Sequence, residues 1–273
     1  MEKNKLVGIF DSGIGGLSVL HEIHEMLPFQ PLYYVADQAH VPYGKRELTE
    51  IRNFAFAITE FLASKGAHLI VVACNTASAA ALKALRQKYP KLTFVGMEPA
   101  VKPATEKTHN GVVGVLATPA TFQGRLYHTL VERFAQDVKI LTHTCPGLVE
   151  AIESGDIQSA NTRLILKQAL IPMLEKGADT IVLGCTHFPF IIPLIREIVG
   201  PRIAVIDPAP AIAKRVSYLL QQSNLLNGYT SQKEVIYSTS GSTTQFKTTL
   251  HALLGIDVDP IALAWNQNRL LET

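Results

Sequence analysis

A run of residues that occurs twice constrains the fold of this chain more than any other feature. The run is Lys-Gly-Ala, two further residues, Ile-Val, two further residues and Cys, at Lys65–Cys74 and again at Lys176–Cys185. Every residue of the second copy lies 111 positions after its counterpart, as 185 lies after 74. A repeat of this length predicts that one structural unit occurs twice in the chain.

Two shorter pairs support the repeat, because they follow in the same order at nearly the same distance. Gly8–Ser12 corresponds to Gly114–Thr118, and Glu98–Ala100 corresponds to Asp207–Ala209. Taken alone, these shorter pairs are also explained by the general similarity of strand–turn–helix joints. Together with the longer run they predict two α/β halves related by a pseudo-twofold axis.

Short β-branched runs alternate with helical patterns along the chain, which is typical of βαβ units around a mainly parallel sheet. The predicted strands are Leu6–Phe10, Leu32–Val35, Leu69–Ala73, Thr93–Val95, Val112–Leu116, Val138–Leu141, Thr180–Leu183, Ile203–Ile206 and Val235–Ser238, with helices that include Glu47–Ser64, Ser78–Tyr89 and Arg163–Glu175. The fold class is therefore α/β, with two pseudosymmetric domains that have mainly parallel sheets. We expect residues 1–97 and 209–273 to form a discontinuous first domain, completed by a C-terminal helix, strand and further helix. Residues 98–208 form the second domain.

The composition excludes several classes of protein. Lys and Arg number 25 against 23 Asp and Glu, and this net charge of +2 does not favour a nucleic-acid partner. Apolar runs such as Leu69–Cys74 are far below the ~18 residues of a membrane span, and Leu6–Phe10 is too short for a signal-peptide core. Three cysteines do not make a disulfide framework. We expect a cytoplasmic protein with no membrane association.

The repeated cysteines carry the predicted chemistry. Ligands of open α/β sheets bind outside the carboxyl ends of the strands, so two facing halves place Cys74 and Cys185 on opposite walls of a cleft. Each cysteine is expected to precede a helix, whose N-terminus lowers the pKa of the thiol. Two opposed thiols suit the inversion of a stereocentre, in which a base acts on one face of a carbon and an acid on the other. The alternative is that both are buried structural cysteines.

Other motifs are weaker. The glycine-rich loop Asp11–Gly16 matches neither a dinucleotide-binding nor a Walker motif. Asp11 at its start could hold a substrate ammonium, polarise the cysteine on its wall or cap a helix. Cys145 has no counterpart at the repeat distance and is interpreted as structural. Neither a Cys-x-x-Cys pair nor clustered histidines indicate a metal site.

At these residues the chain resembles the cofactor-independent glutamate racemases. The matching motifs are Gly8–Gly16, Pro42–Gly44, Cys74–Ala77, Gly184–Pro189 and Ile206–Pro208. The resemblance implies interconversion of L- and D-glutamate without pyridoxal phosphate, metal or other cofactor. It also implies two pseudosymmetric α/β domains with the active site in the cleft between them, a homodimer and a role in supplying D-glutamate for bacterial peptidoglycan.

The resemblance further implies roles for individual residues. The cysteine matching Cys74 deprotonates D-glutamate, the one matching Cys185 deprotonates L-glutamate, and the opposite thiol reprotonates the carbanion. The assisting acids and bases fall on Asp11, His187 and Glu153, although Glu150 lies one helical turn from Glu153. The implied substrate contacts are Asp11, Ser12, Tyr43, Gly44, Asn75, Thr76, Thr118, Thr186 and His187.

Three other functions compete with this interpretation. Two-thiol racemases of aspartate or hydantoins share Cys74–Thr76, but they usually carry Glu where His187 stands and lack the Asp11-Ser12 loop start. A related decarboxylase would keep only one of the two cysteines. A non-catalytic binding protein with two α/β lobes would explain the repeat but would leave the paired thiols without a role.

Overall fold

The computed structural model describes residues 5–226 and 235–273. Residues 1–4 and 227–234, which the predicted first domain includes, lie outside the described residues. The strands of the described chain are β1 Val7–Asp11, β2 Leu32–Ala36, β3 Leu69–Val72, β4 Thr93–Gly96, β5 Val112–Ala117, β6 Lys139–His143, β7 Thr180–Gly184, β8 Ala204–Ile206, β9 Val235–Thr239, β10 Ile261–Asn266 and β11 Arg269–Glu272. The helices are α1 Leu17–Met26, α2 Leu48–Ser64, α3 Asn75–Lys88, α4 Val101–Lys107, α5 Pro119–Gln123, α6 Arg125–Phe134, α7 Leu148–Glu153, α8 Ala160–Glu175, α9 Ile192–Val199, α10 Ala209–Gln222 and α11 Thr243–Leu254, with short 3₁₀ helices at Tyr43–Lys45 and Phe188–Ile191.

The strands form two sheets that share one topology. The seven-stranded sheet has the order β11-β10-β9-β2-β1-β3-β4, and the four-stranded sheet has the order β6-β5-β7-β8. Within the first, β2-β1-β3-β4 repeats the arrangement β6-β5-β7-β8, and all of these neighbours are parallel. The predicted α/β class with two mainly parallel, pseudosymmetric halves is confirmed. We call the seven-stranded sheet with its packed helices the first lobe, and the four-stranded sheet with its helices the second lobe.

The Lys-Gly-Ala repeat marks the same helix end in both lobes. Gly66 after α2 has φ +92° and Gly177 after α8 has φ +86°, a left-handed conformation that favours glycine. The amides of Ala67 and Ala178 donate to carbonyls five residues back, at Leu62 and Met173. These contacts are Schellman-type caps, and they turn each chain directly into β3 or β7.

The C-terminal part differs from the prediction in its last segment. A helix, a strand and a further helix are present as α10, β9 and α11. The chain then adds an unpredicted hairpin, in which β10 pairs in parallel with β9 and antiparallel with β11. Its turn contains Gln267 at φ +53° rather than the glycine that signals most tight hairpins. The domain boundaries at residues 97/98 and 208/209 stay a prediction.

The central strands are buried on both faces. Along β1, Ile9 packs with the cluster that contains α1 and α10, whereas Phe10 packs on the opposite face with residues of α2 and α3. This burial explains why the strands read as continuous apolar runs. The first of these clusters extends into the second lobe through Ile181 and Leu183 of β7. Hydrogen bonds of Asp11 with Thr186 and of Thr76 with Thr118 join the carboxyl ends of β1 and β3 to those of β7 and β5, so these ends face each other.

No helix within residues 5–226 and 235–273 is both long and apolar enough to cross a membrane.

Candidate active site

Both repeated cysteines line one small cavity between the lobes. The cavity is bordered by Ser12, Pro42, Tyr43, Gly44, Cys74, Asn75, Thr76, Thr118, Val149, Cys185, Thr186 and His187. Every predicted site residue except Asp11 and Glu153 is in this lining. Those two lie outside it and form hydrogen bonds with the lining residues Thr186 and His187. The free volume is about 20 Å³, room for the centre of one water molecule and little more. The site is therefore closed in this conformation.

Cys74 lies where β3 meets α3. It is the N-cap of α3, and its Sγ accepts a hydrogen bond from the Ala77 amide at 3.4 Å. The thiol lies 3.9 Å from Ser12 Oγ, to which it donates. Burial, reinforced by the charge of Asp11, raises the pKa of Cys74 well above its usual value, and the Ala77 amide offsets only part of this. The predicted lowering of this pKa is therefore wrong for the closed conformation, because removal from water outweighs the helix N-terminus.

Cys185 occupies the equivalent position after β7, with different neighbours. Thr186 and His187 form a turn before the 3₁₀ helix Phe188–Ile191, so Cys185 does not begin an α-helix as expected. Its Sγ lies 3.6 Å from Nδ1 of His187. The third cysteine, Cys145, is buried in the core outside the cavity lining, and burial raises its pKa to about 12.

Glu153 and His187 form a carboxylate–imidazole pair next to Cys185. His187 Nε2 lies 2.6 Å from Glu153 Oε1, which also accepts from the Ile14 amide at 2.8 Å. Burial acts to raise the pKa of Glu153, but His187 and the other donors outweigh it and lower that pKa. Burial acts to lower the pKa of His187, but Cys185 and Glu153 raise it well above its usual value. The Glu153–His187 pair therefore favours the protonated form of His187, next to the Cys185 sulfur.

Glu150, the alternative to Glu153, points elsewhere. Its Oε1 forms an ion pair of 2.5 Å with Lys45, and both side chains are substantially exposed. Lys45 belongs to the first lobe and Glu150 to α7 of the second. Glu153 is therefore the carboxylate near the thiols, and Glu150 lies at the rim.

Asp11, at the start of the glycine-rich loop, accepts hydrogen bonds from both lobes. Its carboxylate accepts from the Gly13 amide and from the Thr186 hydroxyl, each at 3.0 Å, and the side chain is fully buried. Burial is the main cause of a raised pKa for Asp11, and the charge of His187 opposes it. Asp11 does not cap α1, whose N-cap is Gly16.

The glycines of this loop allow the second lobe to approach closely. A Cβ on Gly13 would lie 1.9 Å from Glu153 Oε1, and one on Gly15 would lie 2.5 Å from His187 Nδ1. Real Cβ atoms essentially never approach a heavy atom within 3.0 Å. The loop is therefore built for contact with side chains of the other lobe.

Polar groups of both lobes meet on the Cys74 side as well. The hydroxyls of Thr76 and Thr118 are 2.8 Å apart, and Gly44 packs against Thr118 so closely that a Cβ would lie 2.8 Å from it. Asn75 is 3% exposed, and neither its amide nitrogen nor its oxygen has a hydrogen-bond partner among the described residues. An unsatisfied buried amide is costly, so this side chain indicates a polar ligand.

Two residues at the end of β2 were missed by sequence reasoning. Asp37 is buried and accepts hydrogen bonds from Tyr43 at 2.6 Å and from Ser240 and Trp265 at 2.7 Å. Its neighbour Gln38 contacts Glu153 at 3.0 Å. Their position at the carboxyl end of a strand was the available signal, since the other sheet-end motifs share it.

Within the described residues, no group of three or more His, Cys, Asp or Glu side chains is arranged to hold a metal ion.

Comparison with known proteins identifies the family. The family model of the Asp/Glu/Hydantoin racemases matches residues 7–216. The chain belongs to this family. It is 48% identical to the glutamate racemase of Roseiflexus sp. (strain RS-1) over 248 residues, 90% of this chain and 91% of that protein. It is 52% identical to that of Pseudomonas paraeruginosa over 220 residues, 81% of this chain and 83% of the relative.

Solved structures of glutamate racemases share the fold of this family member. The RacE1 isoform from Bacillus anthracis superposes with a TM-score of 0.86 at 30% identity, covering 98% of this chain and all of that one. The enzyme from Francisella tularensis, in complex with D-glutamate, gives 0.82 at 28% identity and covers 94% and 96% of the two chains. The aspartate racemase of Picrophilus torridus, at 19% identity and 0.53, shares the fold alone.

Proposed function

We propose that this chain is a glutamate racemase that moves a proton at the α-carbon between two thiols, Cys74 and Cys185, and so supplies D-glutamate for peptidoglycan. One observation carries the proposal: the two sulfurs border the same closed cavity from equivalent positions of two repeated lobes. Relatives about half identical to it over most of the chain are glutamate racemases. The small-molecule substrate follows from the same comparison.

The two walls exchange roles in the proposed reaction. With D-glutamate, Cys74 as thiolate takes the α-proton and Cys185 as thiol returns one to the opposite face. With L-glutamate, Cys185 is the base and Cys74 the acid. Each turnover leaves the proton on the other sulfur, as a two-base inversion requires.

The groups around the thiols support substrate binding and carbanion stabilisation. Asn75, with its unsatisfied amide, is a candidate for the glutamate carboxylates, together with the hydroxyls of Thr76, Thr118 and Thr186. Ser12, Tyr43 and Gly44 complete the candidate contacts in the lining. Fixed dipoles in a site without water stabilise developing charge far better than solvent does.

Asp11 and the Glu153–His187 pair are the proposed assisting groups. His187 lies 3.6 Å from the Cys185 sulfur, and its contacts with Cys185 and Glu153 raise the pKa of His187 well above its usual value, so a proton is available beside that sulfur. Asp11 is held 3.0 Å from Thr186, beside the loop that carries Ser12. Ser12 in turn accepts from the Cys74 thiol.

Substrate entry requires the lobes to separate. The free volume of the inner cavity, about 20 Å³, holds little more than one water molecule, and an outer cavity of about 300 Å³ shares Pro42 and Val149 with its lining. The outer cavity is bordered by Pro42, Val149, Glu150 and Glu153, among others. The ion pair of Lys45 with Glu150 closes the rim between the lobes and must open with them.

The proposal is tested by incubating the purified protein with L-glutamate in D₂O without added cofactor, following optical rotation and α-hydrogen exchange together. Loss of rotation with deuterium at the α-carbon supports the racemase. The same experiment with L-aspartate tests the substrate. Binding without exchange or loss of rotation would instead indicate a two-lobed binding protein.

Homodimer formation and a cytoplasmic location are proposed from the family resemblance alone. Light scattering during size-exclusion chromatography measures the assembly directly, and a mass near 29.8 kDa would contradict the dimer.

A further inference from the structure

An unbroken series of hydrogen bonds runs from the C-terminal part of the first sheet to Cys185. Thr239 at the end of β9 donates to Oε1 of Gln38 at 2.8 Å. Gln38 Nε2 donates to Glu153 Oε2 at 3.0 Å, and the other oxygen of Glu153 lies 2.6 Å from His187. His187 then contacts the Cys185 sulfur at 3.6 Å. The series crosses from the first lobe to the second at the bond between Gln38 and Glu153.

Gln38 is held in one orientation by its surroundings. Its amide nitrogen faces the Glu153 carboxylate, which only accepts, so exchanging the two ends of the amide would lose this hydrogen bond and set two oxygens against each other. The stem of the side chain is confined too, because a Cβ on Gly241 would lie 2.7 Å from the Gln38 Cβ. Because the Gln38 amide is held in one orientation, it also holds the Glu153 carboxylate in one orientation.

Glu153 depends on donors from the first lobe. One oxygen accepts from the Ile14 amide and His187, and the other accepts from Gln38. Since Ile14 and Gln38 both belong to the first lobe, the carboxylate is fully bonded only when the lobes are closed. Of these two donors only Gln38 is a side chain, so it can be removed by substitution.

Cys74 has a different environment. Its contacts are the Ser12 hydroxyl and the Ala77 amide, and no carboxylate–imidazole pair stands behind it among the described residues. A change in Gln38 therefore acts on one wall of the cavity and leaves the other in place.

We propose that Gln38 is a positioning residue for the Cys185 half of the reaction, which orients Glu153, and through it His187, when the lobes close. This inference rests on the proposed racemase function and adds to it a residue that acts on one of the two proton transfers. Gln38 touches neither thiol and works only through Glu153.

Racemisation itself cannot reveal a one-sided effect. The equilibrium constant between enantiomers is one, so kcat/KM must fall equally in both directions. Elimination from 3-chloroglutamate avoids this restriction, because it needs a single base. The thiolate takes the α-proton, the Cα–H electron pair forms a Cα=Cβ bond and chloride leaves; the enamine then hydrolyses to 2-oxoglutarate and ammonium.

The experiment compares chloride release from the L- and D-enantiomers of 3-chloroglutamate by the wild type and by Gln38→Met. Methionine keeps the length of the side chain and removes both hydrogen bonds. We expect release from the L-enantiomer, which uses Cys185, to fall about 10- to 100-fold, the range for losing one hydrogen bond to a charged group. Release from the D-enantiomer should change by less than about twofold, since Cys74 keeps its contacts.

Two further variants complete the design. Gln38→Glu keeps the bond to Thr239 but sets a second carboxylate against Glu153, and should cause the same loss with the L-enantiomer if Gln38→Met fails to fold. Gln168→Met makes the same chemical change at an exposed position of α8, outside the lining of both cavities, and should leave both rates unchanged.

Each outcome decides one question. No chloride release by the wild type from either enantiomer would contradict the proposed function itself. A working wild type whose Gln38 variants lose both activities equally, or neither, would overturn the positioning role. Selective loss with the L-enantiomer alone supports it.

Discussion

The close approach of the lobes at the glycine-rich loop can be tested with one methyl group. A Cβ at Gly15 would lie 2.5 Å from His187 Nδ1 and 2.6 Å from Thr186 Oγ1. Ordinary contact begins at 3.4 Å, so Gly15→Ala must displace His187 by about 0.9 Å. The displaced nitrogen is the one that contacts Cys185. Because a misplacement of about 1 Å costs on the order of 100-fold in rate, we expect kcat/KM to fall by about that factor.

The assay is loss of optical rotation of L-glutamate, measured beside thermal unfolding followed by circular dichroism. Gly111→Ala is the matched control, because Gly111 has φ +68° and its nearest described heavy atom would lie 3.8 Å from an added Cβ. That variant should keep wild-type kcat/KM while losing about 1 kcal/mol of stability, or about 2–4 °C in Tm, because a residue with a Cβ is strained at positive φ. A folded Gly15→Ala enzyme with near wild-type kcat/KM would refute the reasoning.

Three further predictions concern single side chains. Cys74→Ala and Cys185→Ala should each abolish racemisation yet retain chloride elimination from one enantiomer of 3-chloroglutamate; a variant that still racemises disproves the two-base assignment. Thr76→Val removes a 2.8 Å hydroxyl contact and should lower turnover of both enantiomers in the rotation assay, and unchanged rates would exclude this role. For Asp11, the raised folded pKa means that protonation favours folding, and this contribution is lost as pH rises through that pKa. Asp11→Asn should therefore raise Tm at pH 8 more than at pH 4 while lowering activity; a pH-independent change in Tm would contradict it.

The sequence predicted the parts of the fold that depend on local signals. Each copy of the repeat contains a left-handed glycine cap, a buried strand and a cysteine at the strand end, so the repeated letters correspond to repeated geometry. The C-terminal hairpin lacks such signals. Its turn has no glycine, and it is held against the sheet by contacts far away in sequence, such as Trp265 with Asp37 and Glu272 with Lys65.

The site was predictable as a set of residues but not as a set of contacts. Glu150 and Glu153 lie one turn apart on α7, and only the packing of the lobes decides that Glu153 meets His187 while Glu150 meets Lys45. Gln38 lies 115 residues from Glu153, and no local pattern links them. The prediction that the pKa of Cys74 is lowered was wrong for a related reason. A helix N-terminus can be predicted from sequence, whereas the depth to which the thiol is buried cannot.

The contacts between the lobes explain why repeated thiols carry unlike surroundings. Asp11 of the first lobe accepts from Thr186 of the second, and Glu153 of the second accepts from Gln38 and Ile14 of the first. Each wall is therefore completed by the opposite lobe, and the hydrogen-bonded site exists only in the closed conformation. A racemase does not need matching walls, because an equilibrium constant of one restricts the ratio of kcat/KM values and not the residues that produce them.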